Sequence, residues 1–287
     1  MHHLVTTDTD QVLLYRFNPS LLPPVYEGEA SPHHAIGIVL DTETTGLEST
    51  DRVVEVALLP FIFDKRTGEV LGVARGLNQL QDPGIPISPE ASKVNGITNE
   101  MLQGKQIDWA RVVRMLLRAD IVIAHNAQFD RPMVHKELQR AQLDIPDVLW
   151  ACSQAQIPWK KLPERPPAAA LGCLCSWYGF FFAAHRALGD CQALLQLLIV
   201  SGQLLPLFTA AQKPSYVVRA GGKTWDFKDQ VKARRYQFRD SPVKCWQKIV
   251  ATKEEAAEER QWLRDAVYGH SGDDGSTTIM SPKERFL

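Results

Sequence analysis

An apolar strand pattern runs from Ile36 to Leu40 and ends in two acidic residues, Asp41 and Glu43, just before a glycine turn. Side chains two residues apart on a strand point to the same face, roughly 7 Å apart, so these carboxylates are expected to share one site. Like charges at that distance favour a cation between them, and carboxylate oxygens favour Mg²⁺ or Mn²⁺ over zinc. The alternative is that both acids merely begin a turn, so further carboxylates are needed.

Two further acids are predicted to face inward on helices. The strand pattern at 121–125 is followed by a helix pattern in which Asp130 lies on the apolar stripe. A second helix pattern begins after His185, and Asp190 shares a face with apolar residues three, four, seven and eight positions later. Burial of an unpaired carboxylate costs several kcal/mol, and a shared metal site would neutralise both acids. Taken singly, Asp130 could cap its helix and Asp190 could pair with Arg186.

The order of these motifs resembles the DEDDh 3′-to-5′ exonucleases, the family that contains the proofreading epsilon subunit of bacterial replicative polymerase. The match spans about residues 35 to 200 and involves several spaced motifs in the same order. One departure is Cys191, because these proteins often carry alanine after the last aspartate. The motifs that carry the resemblance are Asp41-x-Glu43-Thr44-Thr45-Gly46, Val94-Asn95-Gly96-Ile97-Thr98 with the Asn99-Glu100-Met101 that follows, Asn126-x-x-Phe129-Asp130 and His185-x-x-x-x-Asp190.

The resemblance implies an α/β fold of the RNase H-like exonuclease type, with a mixed central β-sheet flanked by helices. The hydrophobic pattern is compatible with this fold. Strands are expected at 36–41, 53–63, 70–80 and 120–125, and helices near 108–118, 130–141, 168–178 and 187–202.

The resemblance also implies the cofactors and the chemistry. In this family four carboxylates hold two divalent metal ions, Mg²⁺ or Mn²⁺, which assigns that role to Asp41, Glu43, Asp130 and Asp190. The histidine ahead of the last acid activates the attacking water, which assigns the role of general base to His185. The expected products are nucleoside 5′-monophosphates released from a free 3′ end. The alternative for His185 is an ordinary surface-loop histidine.

Substrate contacts follow from the same resemblance. The backbone at Thr44 would contact the terminal sugar, Leu47 would wedge between the last bases, and Asn126 and Phe129 would line the nucleotide pocket. Stacking on an apolar side chain tolerates any base, so sequence-independent degradation is expected. Leu47 and Phe129 could instead be ordinary core residues.

Length and composition predict more than one part. The chain has 287 residues, 45% of them hydrophobic, so it can bury a substantial core, yet the exonuclease pattern ends near residue 205. We therefore predict an N-terminal extension at 1–34, an exonuclease domain at 35–205, a small α+β module at 213–269 and a flexible tail at 270–287. A linker is expected around 206–214.

The predicted module is strongly basic. Between Lys213 and Lys248 lie ten basic and three acidic residues, a net charge of +7, whereas the whole chain carries −1. Cations for phosphates and rings for bases are typical of a single-strand-binding surface, although rings could instead form a miniature core. The aromatic residues of this stretch are Tyr216, Trp225, Phe227, Tyr236, Phe238 and Trp246.

Three functions fit these patterns: a 3′–5′ exonuclease on single-stranded DNA or DNA 3′ ends, the same chemistry on RNA or oligoribonucleotides, and a proofreading subunit bound to a polymerase or sliding clamp. The segment Gln203–Phe208 weakly resembles clamp-docking peptides, with one extra residue. The five cysteines follow neither a secreted disulfide pattern nor a zinc-site spacing. Neither a leader nor a long apolar run is visible, so a cytoplasmic protein without membrane contact is expected.

Overall fold

The computed structural model describes residues 13–48, 50–222, 224–239, 244–269 and 275–286. The chain divides into two compact units: the first extends to Ala211 and the second covers Gln212–Arg285. The carboxylate motifs of the sequence all lie in the first unit.

The first unit is built on a mixed six-stranded sheet. Its described strands are β1 (Tyr15–Arg16), β2 (His34–Thr44), β3 (Val53–Asp64), β4 (Val70–Val73), β5 (Leu77–Leu80), β6 (Ile121–Ala124), β7 (Trp150–Cys152) and β8 (Phe180–Phe181). The main sheet has the order β4-β3-β2-β6-β7, with β5 also paired to β3, and β1 pairs separately with β8. The strand β2 lies in the middle of the sheet because it is paired on both sides, antiparallel to β3 and parallel to β6.

Helices cover both faces of this sheet. They are α1 (Pro89–Asn95), α2 (Asn99–Leu102), α3 (Trp109–Leu116), α4 (Ala127–Arg140), α5 (Ser153–Gln156), α6 (Leu171–Trp177), α7 (Ala187–Val200) and α8 (Leu204–Gln212), with short 3₁₀ turns at Pro19–Leu21 and Trp159–Lys161. The expected RNase H-like α/β architecture is therefore present.

The alternation of side chains along β2 separates two apolar clusters. Val39 packs with α6, α7 and α8 on one face, whereas Ile38 and Leu40 pack with α3 and α4 on the other. The period of two therefore directs Asp41 and Glu43 to the α7 face. One oxygen of each acid lies within 4.8 Å of the other, which confirms the prediction that the two acids share one face.

Several predicted elements differ from those observed. The strand expected at 70–80 is two short strands, β4 and β5, which both pair with β3. The helix expected from residue 130 begins at Ala127. The linker expected at 206–214 is wrong, because most of it belongs to α8, where Pro206 lies in the first turn and its missing N–H costs no hydrogen bond.

The proposed clamp-docking peptide is part of α8 as well. Leu204 and Leu207 are each 1% exposed and pack in the apolar cluster beneath α7, together with Phe208. A docking peptide must present its apolar side chains to a partner, so this segment offers no such peptide as folded here.

The second unit is an α+β module, as expected. Its described strands are β9 (Ser215–Ala220), β10 (Gln237–Arg239), β11 (Cys245–Val250) and β12 (Ser276–Met280), in the order β10-β11-β9-β12, and its helices are α9 (Lys228–Ala233) and α10 (Lys253–Leu263). The prediction of a flexible tail from residue 270 is wrong for β12, which pairs with β9 over five residues. The β-branched run Thr277-Thr278-Ile279 favours this strand.

Most of the aromatic residues of this unit, and two of its basic residues, contribute to its own core. Tyr236 is buried, and Tyr216, Phe227 and Trp246 pack against the same cluster. The carboxylate of Glu259 accepts hydrogen bonds from Arg234, Tyr236 and Lys248, at 2.8, 3.2 and 2.6 Å. The expectation that rings stabilise a miniature core is thus met, while Phe238 remains 50% exposed.

No single helix in the described part of the chain is long and apolar enough to span a membrane. The helices α7 and α8 satisfy that test only as a pair, bent by 100°.

The pairing of β12 leads to a prediction about stability. Neighbouring residues of an edge strand alternate between N–H groups that pair with the sheet and N–H groups that point away. Of the two variants Thr277→Pro and Thr278→Pro, at least one should therefore lower the melting temperature of the second unit by about 5 °C or more. Differential scanning calorimetry measures this shift, and parental melting in both variants would instead support a flexible tail.

Candidate active site

Three carboxylates meet at the end of β2. One oxygen from each of Asp41, Glu43 and Asp190 lies within 4.8 Å of the other two. Asp41 and Glu43 come from the α7 face of β2, and Asp190 comes from the first turn of α7, which packs on that face. Residues about 150 positions apart in sequence are thereby brought together, as expected from the motif order.

Asp130 reaches the same end of β2 from α4, on the opposite face. Its Oδ1 accepts hydrogen bonds from the backbone N–H of Thr42, at 3.1 Å, and from the Thr42 hydroxyl, at 2.7 Å. The helix cap is Asn126, so Asp130 does not cap α4. Asp130 is 3% exposed and is bonded to the strand residue between the two other acids.

Burial and mutual repulsion dominate the electrostatics. Burial, followed by the charges of Asp130 and Asp190, holds the pKa of Asp41 well above its ordinary value. Burial raises the pKa of Glu43 to about 7 against a lowering hydrogen bond from Asn95. Burial likewise raises the pKa of Asp130 to about 7 and that of Asp190 to about 6. A cluster of this kind is stabilised by protons or by cations.

His185 lies beside Asp190 on the exposed loop ahead of α7. Burial raises the pKa of Asp190, while the backbone N–H of Arg186 and the neighbouring His185 lower it. The backbone of His185 has φ of 67°, in the left-handed region that is uncommon for residues other than glycine. The side chain is exposed to solvent and interacts with Asp190.

Arg186 pairs with an acid that the sequence analysis did not single out. Its guanidinium donates to the buried carboxylate of Glu55 on β3, at 3.1 and 2.9 Å. Only the backbone N–H of Arg186 bonds to Asp190, at 3.0 Å. The alternative of an Arg186–Asp190 ion pair is therefore wrong, because the sheet offers the guanidinium a better-buried partner.

The residues expected to contact substrate fall into two groups. Leu47 is 84% exposed, so the core-packing alternative is wrong for this residue, and Asn126 is exposed as well. Thr44 is buried, with its hydroxyl bonded to the carbonyl of Gly46, and Phe129 is half-buried against the α3–α4 cluster. Thr44 and Phe129 are therefore fixed by packing, whereas Leu47 and Asn126 are open to solvent.

Two further histidines of the first unit, His125 and His135, are structural. The ring of His125 bonds to the Ser153 hydroxyl and the Ala169 carbonyl, each at 2.8 Å, and burial lowers its pKa to about 4. Burial also lowers the pKa of His135 to about 4. Neither ring is placed to exchange protons near neutral pH.

Sequence reasoning missed three residues that support the acids. Thr42 donates a hydrogen bond to Asp130, and Asn95 forms one with Glu43. Glu55 accepts a hydrogen bond from the backbone at the start of α7. Asn95 lies in the Val94–Thr98 motif, so that motif was the available signal. Glu55 is an acidic residue within the apolar sequence of β3. An acid at a position that the strand alternation turns inward was the available sign of a special role.

The donor set fits divalent metal ions. All donors are carboxylate oxygens, which hard cations prefer, and three of them are close enough to ligate one ion. The pKa values of Asp41 and Glu43 are raised because ionised carboxylates in this desolvated, crowded site are unfavourable. A bound cation would offset that negative charge.

Comparison with known proteins identifies the family. Residues 38–198 match the family model described as exonuclease, of RNase T type. The chain belongs to the DEDDh 3′–5′ exonuclease family. The resemblance drawn from the motifs is therefore confirmed, and the chain is a phosphodiester hydrolase of this exonuclease class.

Two relatives of this exonuclease have the same name. DNA polymerase III subunit epsilon of Treponema pallidum is 31% identical over 187 residues, which are 60% of this chain and 80% of the relative. DNA polymerase III subunit epsilon of Buchnera aphidicola subsp. Schizaphis graminum is 30% identical over 182 residues, 58% and 75% of the two chains. A zinc-bound E. coli ExoI–ssDNA complex shares the fold, with a TM-score of 0.50 and 16% identity over 81% of this exonuclease and 71% of that chain.

The raised pKa of Asp130 leads to a prediction for the metal-free exonuclease. Its pKa is about 7 in the folded state against an ordinary 3.8, so between about pH 4 and pH 7 the folded state binds more protons than the unfolded state. Stability should therefore fall as pH rises through this window. Asp130→Asn, which cannot ionise but keeps an oxygen for Thr42, should reduce this fall by about 2 kcal/mol.

Urea unfolding with EDTA at pH 5, 6, 7 and 7.5 measures the effect. Added Mg²⁺ should flatten the fall in the parent protein, because a ligand of the folded state stabilises it. Identical pH slopes for parent and variant would show that Asp130 does not carry this proton.

Proposed function

We propose that this exonuclease removes nucleotides from the 3′ end of single-stranded DNA in a metal-dependent reaction and releases nucleoside 5′-monophosphates. The observation that carries the proposal is the convergence of Asp41, Glu43 and Asp190 within 4.8 Å, with Asp130 held against the same strand end. A partly buried group of acids this dense is costly to fold and serves no structural purpose that apolar residues would not serve better.

The proposed cofactors are two Mg²⁺ ions, or Mn²⁺ in their place, held by Asp41, Glu43, Asp130 and Asp190. When bound, such ions supply Lewis acidity and offset the negative charge that develops at phosphorus. The protein contributes the fixed positions of the four acids. Each acid comes from an element packed into the core, so their geometry does not depend on the substrate.

His185 is the proposed general base. Its ring would accept a proton from the attacking water, because an imidazole can act as a base at neutral pH. Its place on the exposed loop next to Asp190 supports this role, because a proton taken up there can leave to solvent.

The proposed substrate contacts combine rigid and exposed groups. Thr44 and Phe129 would bound the pocket of the terminal nucleotide, and Asn126 would contact it from the start of α4. Leu47, at 84% exposure, would insert between the last two bases. Apolar insertion has no base preference, which favours degradation without sequence specificity.

DNA is proposed over RNA because both relatives named above are subunits of a DNA polymerase. Association with a replicative polymerase is proposed on the same ground. RNA or oligoribonucleotides remain the alternative substrate, and parallel cleavage of DNA and RNA strands separates the two.

For the second unit, binding of single strands stays a prediction: Arg234 and Lys248 are bonded to Glu259, so fewer cations are left for phosphates than the composition indicates.

The proposed function predicts the behaviour of Asp41→Asn. Full-length protein with Mg²⁺ should shorten single strands from the 3′ end, and the variant should be slower by about a thousandfold or more because a ligand of the metals is lost. The variant should be at least as stable as the parent without metal, since the substitution removes one repelling charge. Gels with 5′-labelled and 3′-labelled strands measure rate and direction.

Matched reactions complete this test. Asp144→Asn changes an exposed acid elsewhere in the first unit and should retain parental activity. Parallel DNA and RNA strands rank the two substrates, and faster RNA cleavage would favour the alternative. Activity that survives EDTA or the Asp41 substitution would refute the metal assignment.

His185→Gln gives an independent prediction. Turnover should fall by about 10²- to 10⁴-fold, because a general base is lost while the acids remain. Calorimetric titration with Mg²⁺ should give nearly the parental affinity. The control is His33→Gln, an exposed histidine just before β2. Parental turnover in His185→Gln would exclude this residue as the base.

A further inference from the structure

Glu55 is a fifth acid beside the carboxylate cluster, directly opposite Glu43 in the pairing of β2 with β3, and fully buried. Its Oε1 accepts hydrogen bonds from Arg186 Nη2, at 2.9 Å, and from Asn78 Nδ2, at 3.2 Å. Its Oε2 accepts from Arg186 Nε and from the backbone N–H of Ala187, both at 3.1 Å. A carboxylate has about four acceptor positions, so Glu55 is saturated and has none left for a metal ion.

These hydrogen bonds fix the start of α7. Ala187 is the first residue of the helix, where N–H groups lack partners within the helix and the dipole favours a carboxylate. The preceding N–H, that of Arg186, donates to Asp190 Oδ2 at 3.0 Å. Two acids therefore hold the helix start: Glu55 from the sheet and Asp190 from within the helix.

His185 directly precedes this fixed turn and has φ of 67°. Residues other than glycine keep such a conformation only where the surrounding structure holds them in it. The planar guanidinium of Arg186 forms a two-pronged bond with Glu55, which fixes orientation as well as distance. The segment that carries the proposed base is thus anchored to β3 within one residue of His185.

We propose that Glu55 is a positioning residue of the exonuclease reaction. Through Arg186 and Ala187 it fixes the placement of His185 and Asp190 relative to the acids of β2. This inference rests on the function proposed above for His185 and Asp190. Glu55 itself contacts neither the proposed substrate groups nor a metal, because all its acceptor positions are occupied by the protein.

The chain offers a matched control for a purely structural ion pair. Glu137 near the end of α4 is 2% exposed and accepts two bonds from the guanidinium of Arg52, at 2.7 and 3.0 Å. It also accepts from Arg140 and from the backbone N–H of Val53. Glu137 therefore has the same chemistry as Glu55 without a connection to the His185 loop.

The test compares Glu55→Gln with Glu137→Gln in the full chain. In metal-free protein, hydrogen exchange at the amides of residues 187–191 should be faster by about tenfold or more in Glu55→Gln and unchanged in Glu137→Gln. With Mg²⁺ and a single strand, kcat of Glu55→Gln should fall by about 10- to 100-fold while KM stays within about threefold. Glu137→Gln should retain kcat within about twofold even where its melting temperature falls.

Each outcome decides the proposal. Equal kcat losses in the two variants, or parental exchange at the start of α7 in Glu55→Gln, would overturn it. Should Glu55→Gln fail to fold, Arg186→Lys carries the test, because it keeps the charge of a half-exposed side chain and loses only the two-pronged bond. It should reproduce the faster local exchange and the loss of kcat. An inactive parent protein would refute the proposed function, whereas an active parent with an unaffected Glu55→Gln would overturn only the positioning role.

Discussion

The crowding of partly buried and buried carboxylates at the end of β2 is the constraint on which the first unit depends. Asp41, Glu43, Asp130 and Asp190 all have raised pKa values, with burial as the leading cause. The acids cannot separate, because they belong to a central strand and to two helices whose apolar residues pack on opposite faces of the sheet. The folding energy of the core therefore maintains a charge arrangement that is unfavourable until a cation binds.

The sequence predicts the acids of this site well, because each lies on a periodic apolar pattern. Asp41 and Glu43 follow the alternation of β2, and Asp190 follows the stripe of α7. The supporting contacts are not predictable in the same way. Arg186 has an acid four residues later, which local reasoning favours, but it pairs with Glu55, which is 131 positions away. Such a pair depends on how β3 packs against α7, and a local sequence pattern does not predict that packing.

The two wrong predictions about the fold, the linker at 206–214 and the flexible tail, also arise from relying on local sequence. Pro206 marks a linker in a composition-based analysis, yet a proline in the first turn of α8 disrupts no hydrogen bond. The glycine and aspartate residues at 272–275 favour a flexible tail, whereas the strand-forming segment follows them and is stabilised by pairing with β9. The ring contact of Phe208 in α8 with Phe63 in β3 and the pairing of β12 with β9 both join distant segments, so tertiary context overrides the local signal.

The environment of each acid separates two roles at one end of the sheet. Glu55 and Glu43 face each other across β2 and β3, yet Glu55 accepts four hydrogen bonds while the pKa of Glu43 is governed by burial and by Asp190. A carboxylate saturated with donors is an anchor, because it gains nothing from a cation. A carboxylate surrounded by other acids suits the proposed role of metal ligand, because only a cation or a proton relieves the repulsion between the acids. Residue type alone does not distinguish these roles. The number of hydrogen-bond donors around a carboxylate and the charges of its neighbours do.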